Sequence, residues 1–273
     1  MLVPRELLSS VVGLGFETSD GFNFTGIAYF VSVPAALVPG KVHVYLVTAG
    51  HSTRDRDNLV ARTNTPGGGT VVDLLPQSDR WLRLTDPAAG EHYVDLAAVR
   101  WNPQSSYEAG YRAMPLAMLF DERLVGNVAE TGVGIGDEVF AIGLTSVRYA
   151  KEQNAPVVRT GHIAMIPAEP MLVRFEEAEP ELRMRLYLTE LRASAGRDGS
   201  PVFARPRDAT DASPLALLGT IVGAWDEGDA TDLGLTKVLP AQLLSDLLGQ
   251  EEEVERRRDA EQRQLDDDWL ADA

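Results

Sequence analysis

Three residues able to move or hold a proton stand far apart in this chain. His51 closes the apolar run "LVTAGH" (46–51), Asp95 opens "YVDLAAVRW" (93–101), and Asp198 sits in the tight turn Gly196-Arg197-Asp198-Gly199 of "SAGRDGSPVF" (194–203). An imidazole titrates near neutrality and a carboxylate can orient it or stabilise its cation, so a histidine brought together with aspartates has the makings of acid–base chemistry. Singly, each residue is a weak signal, because a histidine after a strand or an aspartate before one is ordinarily a surface or hydrogen-bonded residue. Two hydroxyls flank the turn, Ser194 before Asp198 and Ser200 after it. A carboxylate attacking an amide would form a high-energy mixed anhydride and expel the amine poorly, so peptide hydrolysis through Asp198 itself is not expected.

The elements that must position these residues are strands. Short β-branched or alternating runs, separated by Gly, Pro, Asn and Asp, recur at 26–34, 41–50, 81–86, 93–101, 137–144, 183–191 and 215–225. That pattern favours an all-β sandwich or barrel over a βα repeat. Between Asn102 and Thr131 the texture loosens, which suits a connection between two strand-rich halves, each a barrel. After Pro240, apolar residues at Leu243, Leu244, Leu247 and Leu248 have the spacing of one helix face, and proline is a good first-turn residue. A C-terminal helix is predicted there. The stretch 251–273 carries ten acidic residues against four arginines, with Glu252/Arg256 and Glu253/Arg257 at the spacing that supports a solvated helix. It is read as a charged tail, helical or disordered, whose Trp269-Leu270 end is a possible partner contact.

Composition narrows the function classes. A 44% hydrophobic content over 273 residues supports a folded core. A net charge of −16 would repel phosphate backbones, so nucleic acid is not an expected partner. The absence of cysteine removes disulfides, thiol nucleophiles and thiolate metal sites, and suits a reducing compartment. The opening residues lack a basic start and long apolar core, and no apolar run is long enough to span a bilayer, so a cytoplasmic protein with no membrane contact is expected. His92 and His162 have no second ligand at metal spacing, and "PGGGT" (66–70) is not followed by a lysine and a helix. No metal or cofactor is expected.

The order His51, Asp95, Asp198 is the histidine–aspartate–nucleophile order of the chymotrypsin barrels, and from about residue 8 to 248 the sequence resembles the trypsin-like serine peptidases. "TGIAYFV" (25–31) is similar to an early strand of that family, "GDEVFAIGL" (136–144) and "RTGHIAMI" (159–166) to strands of its second barrel, and "LGTIVGAW" (218–225) to its substrate-pairing strand. "LGLTKVLPAQLLSDLL" (233–248) is similar to its closing strand and helix. The resemblance implies a peptidase-like domain over 1–248, a double β-barrel with its first barrel at about 8–120 and its second, with the helix, at 128–248. It implies a general base at His51 and an orienting acid at Asp95. It implies an oxyanion hole from the backbone N–H groups of Gly196 and Asp198, a substrate-pairing segment at Val222, Gly223, Ala224 and Trp225, and Arg192 near the base of the specificity pocket.

The family pattern G-x-S-G-x-P, anchored here by Pro201, puts the nucleophilic serine where this chain has Asp198. Ser200 is two residues late, displaced by roughly 6–7 Å in extended chain, beyond the reach of a proton-accepting histidine. Ser194 is four residues early. A second departure is Arg197, which stands where zymogens of the family carry an activation aspartate. These departures imply a His51 held between two carboxylates, titrating above its ordinary value of about 6.5. They also imply a pseudoprotease that binds a polypeptide or protein partner by strand addition. Two readings stay beside it: an active serine endopeptidase using a repositioned serine, or having serine at 198 in a working parent, and a barrel with a structural or regulatory role only.

Overall fold

The computed structural model describes residues 3–19, 21–85, 93–102, 110–119, 132–145, 153–174, 181–191, 197–206, 215–225 and 234–272, with side chains to residue 267. After the short helix α1 (Arg5–Leu8), eight strands form one sheet. They are β1 (Val11–Thr18), β2 (Gly21–Pro34), β3 (Val42–Ala49), β4 (Val60–Asn64), β5 (Thr70–Leu74), β6 (Leu82–Thr85), β7 (Tyr93–Arg100) and β8 (Met114–Pro115). The order is β5-β4-β1-β2-β3-β7-β6, antiparallel throughout, with β8 added parallel to β2. Six later strands close a barrel in the order β10-β13-β16-β15-β14-β9. These are β9 (Glu138–Leu144), β10 (Pro156–Met165), β13 (Tyr187–Thr189), β14 (Pro201–Ala204), β15 (Ala216–Ala224) and β16 (Thr236–Pro240). A separate hairpin joins β11 (Met171–Val173) to β12 (Leu182–Met184).

Period-two alternation explains why these runs are strands and how the halves meet. In β2, Ala28 and Phe30 point into a core of their own sheet with Val12, Leu14, Leu46 and Val99. Ile27, Tyr29 and Val31 point the other way, into a core shared with Phe140, Ile142, Phe203 and Leu217 of the barrel. The opposite face of β9, Val139 and Ala141, fills the barrel interior with Val202 and Leu218. Across the shared core the Tyr29 hydroxyl meets Thr220 Oγ1 at 2.7 Å, which satisfies both polar groups where water cannot reach.

The predicted strands are present, with one correction. The run 183–191 is not a single strand: it ends β12 at Met184 and begins β13 at Tyr187, because its first part pairs with the β11 hairpin and its second with β10 and β16. The connection expected at 102–131 lies largely outside the described residues. α2 (Ala241–Leu248) starts after Pro240 as predicted and buries Leu244, Leu247 and Leu248 in the shared core.

The tail departs from the sequence reading. α3 (Glu251–Asp272) is a helix whose inner face is buried, not solvated: Glu253, Arg257 and Glu261, each four residues apart, are all below a tenth exposed. The first sheet supplies their partners. The Tyr45 hydroxyl donates to Glu253 Oε1 (2.5 Å) and accepts from Arg257 (3.1 Å), and Arg257 also caps the Leu248 carbonyl at 2.9 Å. Glu261 accepts from His43 Nε2 and from the Leu37 N–H, both at 2.6 Å, while His43 Nδ1 accepts from Arg100. Arg100 can only donate, so the His43 proton sits on Nε2. Burial pushes the Tyr45 phenol up to about 12, and its bond to Glu253 adds to the shift. Burial acts to raise Glu261 as well, but hydrogen bonds from His43, Leu37 and Ala36 outweigh it and hold the carboxyl below its ordinary range. Of the two expected ion pairs, Glu252/Arg256 forms on the exposed face, whereas Glu253 and Arg257 both turn to Tyr45. The side chains of Trp269 and Leu270 lie outside the described residues.

Candidate active site

β3 is a buried strand that stops at Ala49, and the 3₁₀ turn Gly50–Ser52 carries His51 out of the sheet. Asp95 is positioned by register: Ala49 pairs with Leu96 of β7, so Asp95 lies one residue beyond that pair, beside the turn. It is wholly buried, and both carboxylate oxygens are used on His51. Oδ1 accepts the backbone N–H at 2.6 Å and Oδ2 accepts from Nδ1 at 2.8 Å. A carboxylate has no proton to give, so Nδ1 is the donor and the ring orientation is fixed.

Asp198 approaches from the barrel. Its Oδ2 stands 3.4 Å from His51 Nε2, and its side chain is 26% exposed against 19% for the histidine. The turn that carries it is pinned on both sides: the Ile27 N–H donates to the Asp198 carbonyl (3.0 Å), and the Gly199 N–H donates to the Ile221 carbonyl (2.8 Å). Gly199 has φ +87°, and a Cβ there would collide with the Ile27 carbonyl oxygen and Thr48 Oγ1. Only glycine fits this position.

His51 is therefore held between two carboxylates. Burial works against a charged ring, but the hydrogen bonds and fields of Asp198 and Asp95 overcome it and raise the imidazole from 6.5 to about 10. The ring is an imidazolium at neutral pH, flanked by two anions. In that state it can hold charge and donate protons, but it cannot take a proton from a hydroxyl.

The remaining sequence candidates are placed as follows. Ser200 is 1% exposed and donates its hydroxyl proton to the Arg197 carbonyl at 2.7 Å, so that proton is directed into its own turn. Val222 is buried, while Gly223 and Trp225 are partly exposed and Ala224 is exposed. On one edge of β15 the partner β16 continues to the Ala224/Thr236 pair, and the Trp225 N–H donates to the Leu235 carbonyl. On the other edge pairing with β14 ends at Pro201/Thr220, followed only by the bonds that tie Ile221 to Gly199 and Ser200. Among the described residues no strand pairs with that edge of Val222–Ala224, and the edge runs on beside the Asp198 turn. Arg192, Ser194 and Gly196 lie outside the described residues. His162 faces Glu190 at 3.4 Å with both side chains more than half exposed, as an ordinary surface pair. Among the described residues no group of three or more His, Asp or Glu could hold a metal ion.

One buttress of the site is absent from the sequence reading. Arg83, on β6, donates to the Gly50 carbonyl (3.3 Å) and to Thr53 Oγ1 (2.8 Å), on either side of His51. The available signal was the alternation in "WLRLTD", which sets Arg83 opposite the face of Leu82 and Leu84. An open groove of about 1030 Å³ lies between β6 and the start of α3, lined by Trp81, Arg83, Tyr93, Gln250 and Arg256. It does not include His51, Asp95 or Asp198. Among the described residues no helix is long and apolar enough to cross a membrane. Searches of family models and of curated proteins found no match to this chain.

Proposed function

We propose that the chain is a chymotrypsin-like pseudoprotease: a double β-barrel, with the first sheet as the more open counterpart of the closed barrel, that binds extended polypeptide and does not cut it. The observation that carries this reading is the carboxylate of Asp198 facing Nε2 of a histidine already oriented by Asp95. In a serine peptidase that place belongs to a hydroxyl, whose proton a neutral imidazole removes. Here the place is filled by an anion and the imidazole is charged, so neither nucleophile nor base is ready. A fixed negative charge would also repel the oxyanion of acyl transfer, unless the carboxylate itself occupies the hole.

Binding needs none of these groups. The edge of Val222–Ala224 offers backbone donors and acceptors to an extended segment, the geometry of strand addition, and Trp225 adds an aromatic surface at its end. The absence of cysteine suits a cytoplasmic setting. A second reading, an active endopeptidase, is favoured by the intact His51–Asp95 pair and would use Ser194 as nucleophile. A reduced and carboxymethylated, permanently unfolded protein distinguishes the two. The pseudoprotease reading expects it to bind and to be recovered at its original mass; fragments would establish the endopeptidase, and absence of binding would refute the binding role.

A further inference from the structure

His51 is gripped from one side by Asp95, and the geometry of the turn shows what holds the other side. The Gly50 carbonyl accepts from the Thr53 N–H (3.1 Å), from Thr53 Oγ1 (3.0 Å) and from Arg83. Thr53, which is fully buried, gives its hydroxyl proton to Gly50 and accepts a second bond from Arg83 on the same oxygen. One guanidinium thus closes a ring with the residues immediately before and two after His51. The strands make this reach possible: Arg83 pairs with Ala97 of β7 from one side, and Thr48 of β3 pairs with the same Ala97 from the other.

We propose that Arg83 is a positioning residue for the His51 turn, and that Gln250 holds Arg83 in place. Gln250 immediately precedes α3: its carbonyl accepts the Glu253 and Val254 N–H groups, both at 3.0 Å, while its side-chain amide donates to the Arg83 carbonyl at 3.1 Å. Seating of the C-terminal helix is thereby connected to the imidazole through two residues. The inference rests on reading His51 as the site's imidazole, and it holds whether or not the site cuts. A planar fork with several donors suits this task, because the two acceptors are different atoms on different residues.

The test reads the His51 Nδ1–H proton by ¹⁵N–¹H NMR of the full chain in wild type, Arg83→Met and Gln250→Ala. Met keeps the apolar stem and removes the donors. Solvent exchange of that proton is expected to accelerate roughly tenfold or more in Arg83→Met, the scale of losing charged hydrogen bonds from a local opening equilibrium, and less in Gln250→Ala. Amide exchange at Leu46 and Val99, in the strands behind the turn, is expected to stay at the wild-type rate. An unchanged His51 proton in both variants overturns the proposal, as does acceleration shared equally by Leu46 and Val99, which marks a structural role. Acceleration in Arg83→Met alone overturns the part assigned to Gln250. Should Arg83→Met not fold, Arg83→Lys, which keeps the charge and loses the planar fork, takes its place, and an unchanged His51 proton there overturns the part assigned to Arg83. Proteolysis by the wild type would defeat the pseudoprotease reading without touching this result.

Discussion

The two halves of the candidate site are built alike and armed differently. On the first sheet, His51 and Asp95 are joined by two hydrogen bonds to a wholly buried carboxylate. On the barrel, the turn at 197–200 is pinned to β2 and β15 with equal care, yet it presents a carboxylate, where the proposed reading compares it with a serine hydroxyl. The scaffold on each side is therefore sufficient to place a reactive group, and the difference lies in one side chain. On the proposed reading, geometry that supports catalysis and chemistry that performs it are separable, and this site keeps the first without the second.

The comparison breaks most severely at the backbone of the barrel half. Gly199→Ala forces a side chain into a left-handed position with no room for it, and a loss of roughly 3 kcal/mol or more is expected in denaturant unfolding. Relaxation of the turn would also carry Asp198 away from His51.

The charge difference is sharpened by Asp198→Asn, which keeps size and removes the anion. The His51 titration midpoint, followed by NMR, is expected to fall from about 10 by roughly one to two units, leaving Asp95 as the remaining carboxylate. The wild-type shift has a consequence for stability whose sign is fixed. A histidine raised from 6.5 to about 10 on folding binds its proton more tightly in the native state, so its stabilisation is complete below about 6.5 and lost as pH rises through about 10. Unfolding free energies measured between pH 6.5 and 10 should therefore decline in wild type. In Asp198→Asn the decline should begin with the same slope and end sooner, giving a smaller total loss.

A smaller effect is expected away from the site, where α2 and α3 form a second contrast. α2 is held by Leu244, Leu247 and Leu248, while α3 is held by a seam of buried charges on Tyr45 and His43. Tyr45→Phe removes one hydroxyl from that seam and leaves Glu253 short of a donor. It should cost about 1–2 kcal/mol and raise amide exchange in α3 before α2.

These contrasts also mark what the sequence could reveal. Strands with period-two alternation, such as β3, β7 and β15, were legible because each buries one face or both in a core. The helix after Pro240 was legible because its leucines repeat at helical spacing. The buried face of α3 was not, because Glu253, Arg257 and Glu261 read as solvent-facing charges until a tyrosine and a histidine over 200 residues away supply their partners. The stripe of every fourth residue was the available hint. The three charged residues of the site were visible from their order, and their contact required the fold. Arg83 was hidden because alternation in its short edge strand sets only the face it occupies, and the contact of that face with the His51 turn required the fold.

The most direct test of the central claim is labelling by a fluorophosphonate probe, which reacts with an activated serine, applied to the wild type beside Asp198→Ser. If the base half is intact and Asp198 alone silences the site, the variant labels at residue 198 and the wild type does not. Labelling of the wild type would contradict the account, since it would place an activated serine elsewhere in the cleft.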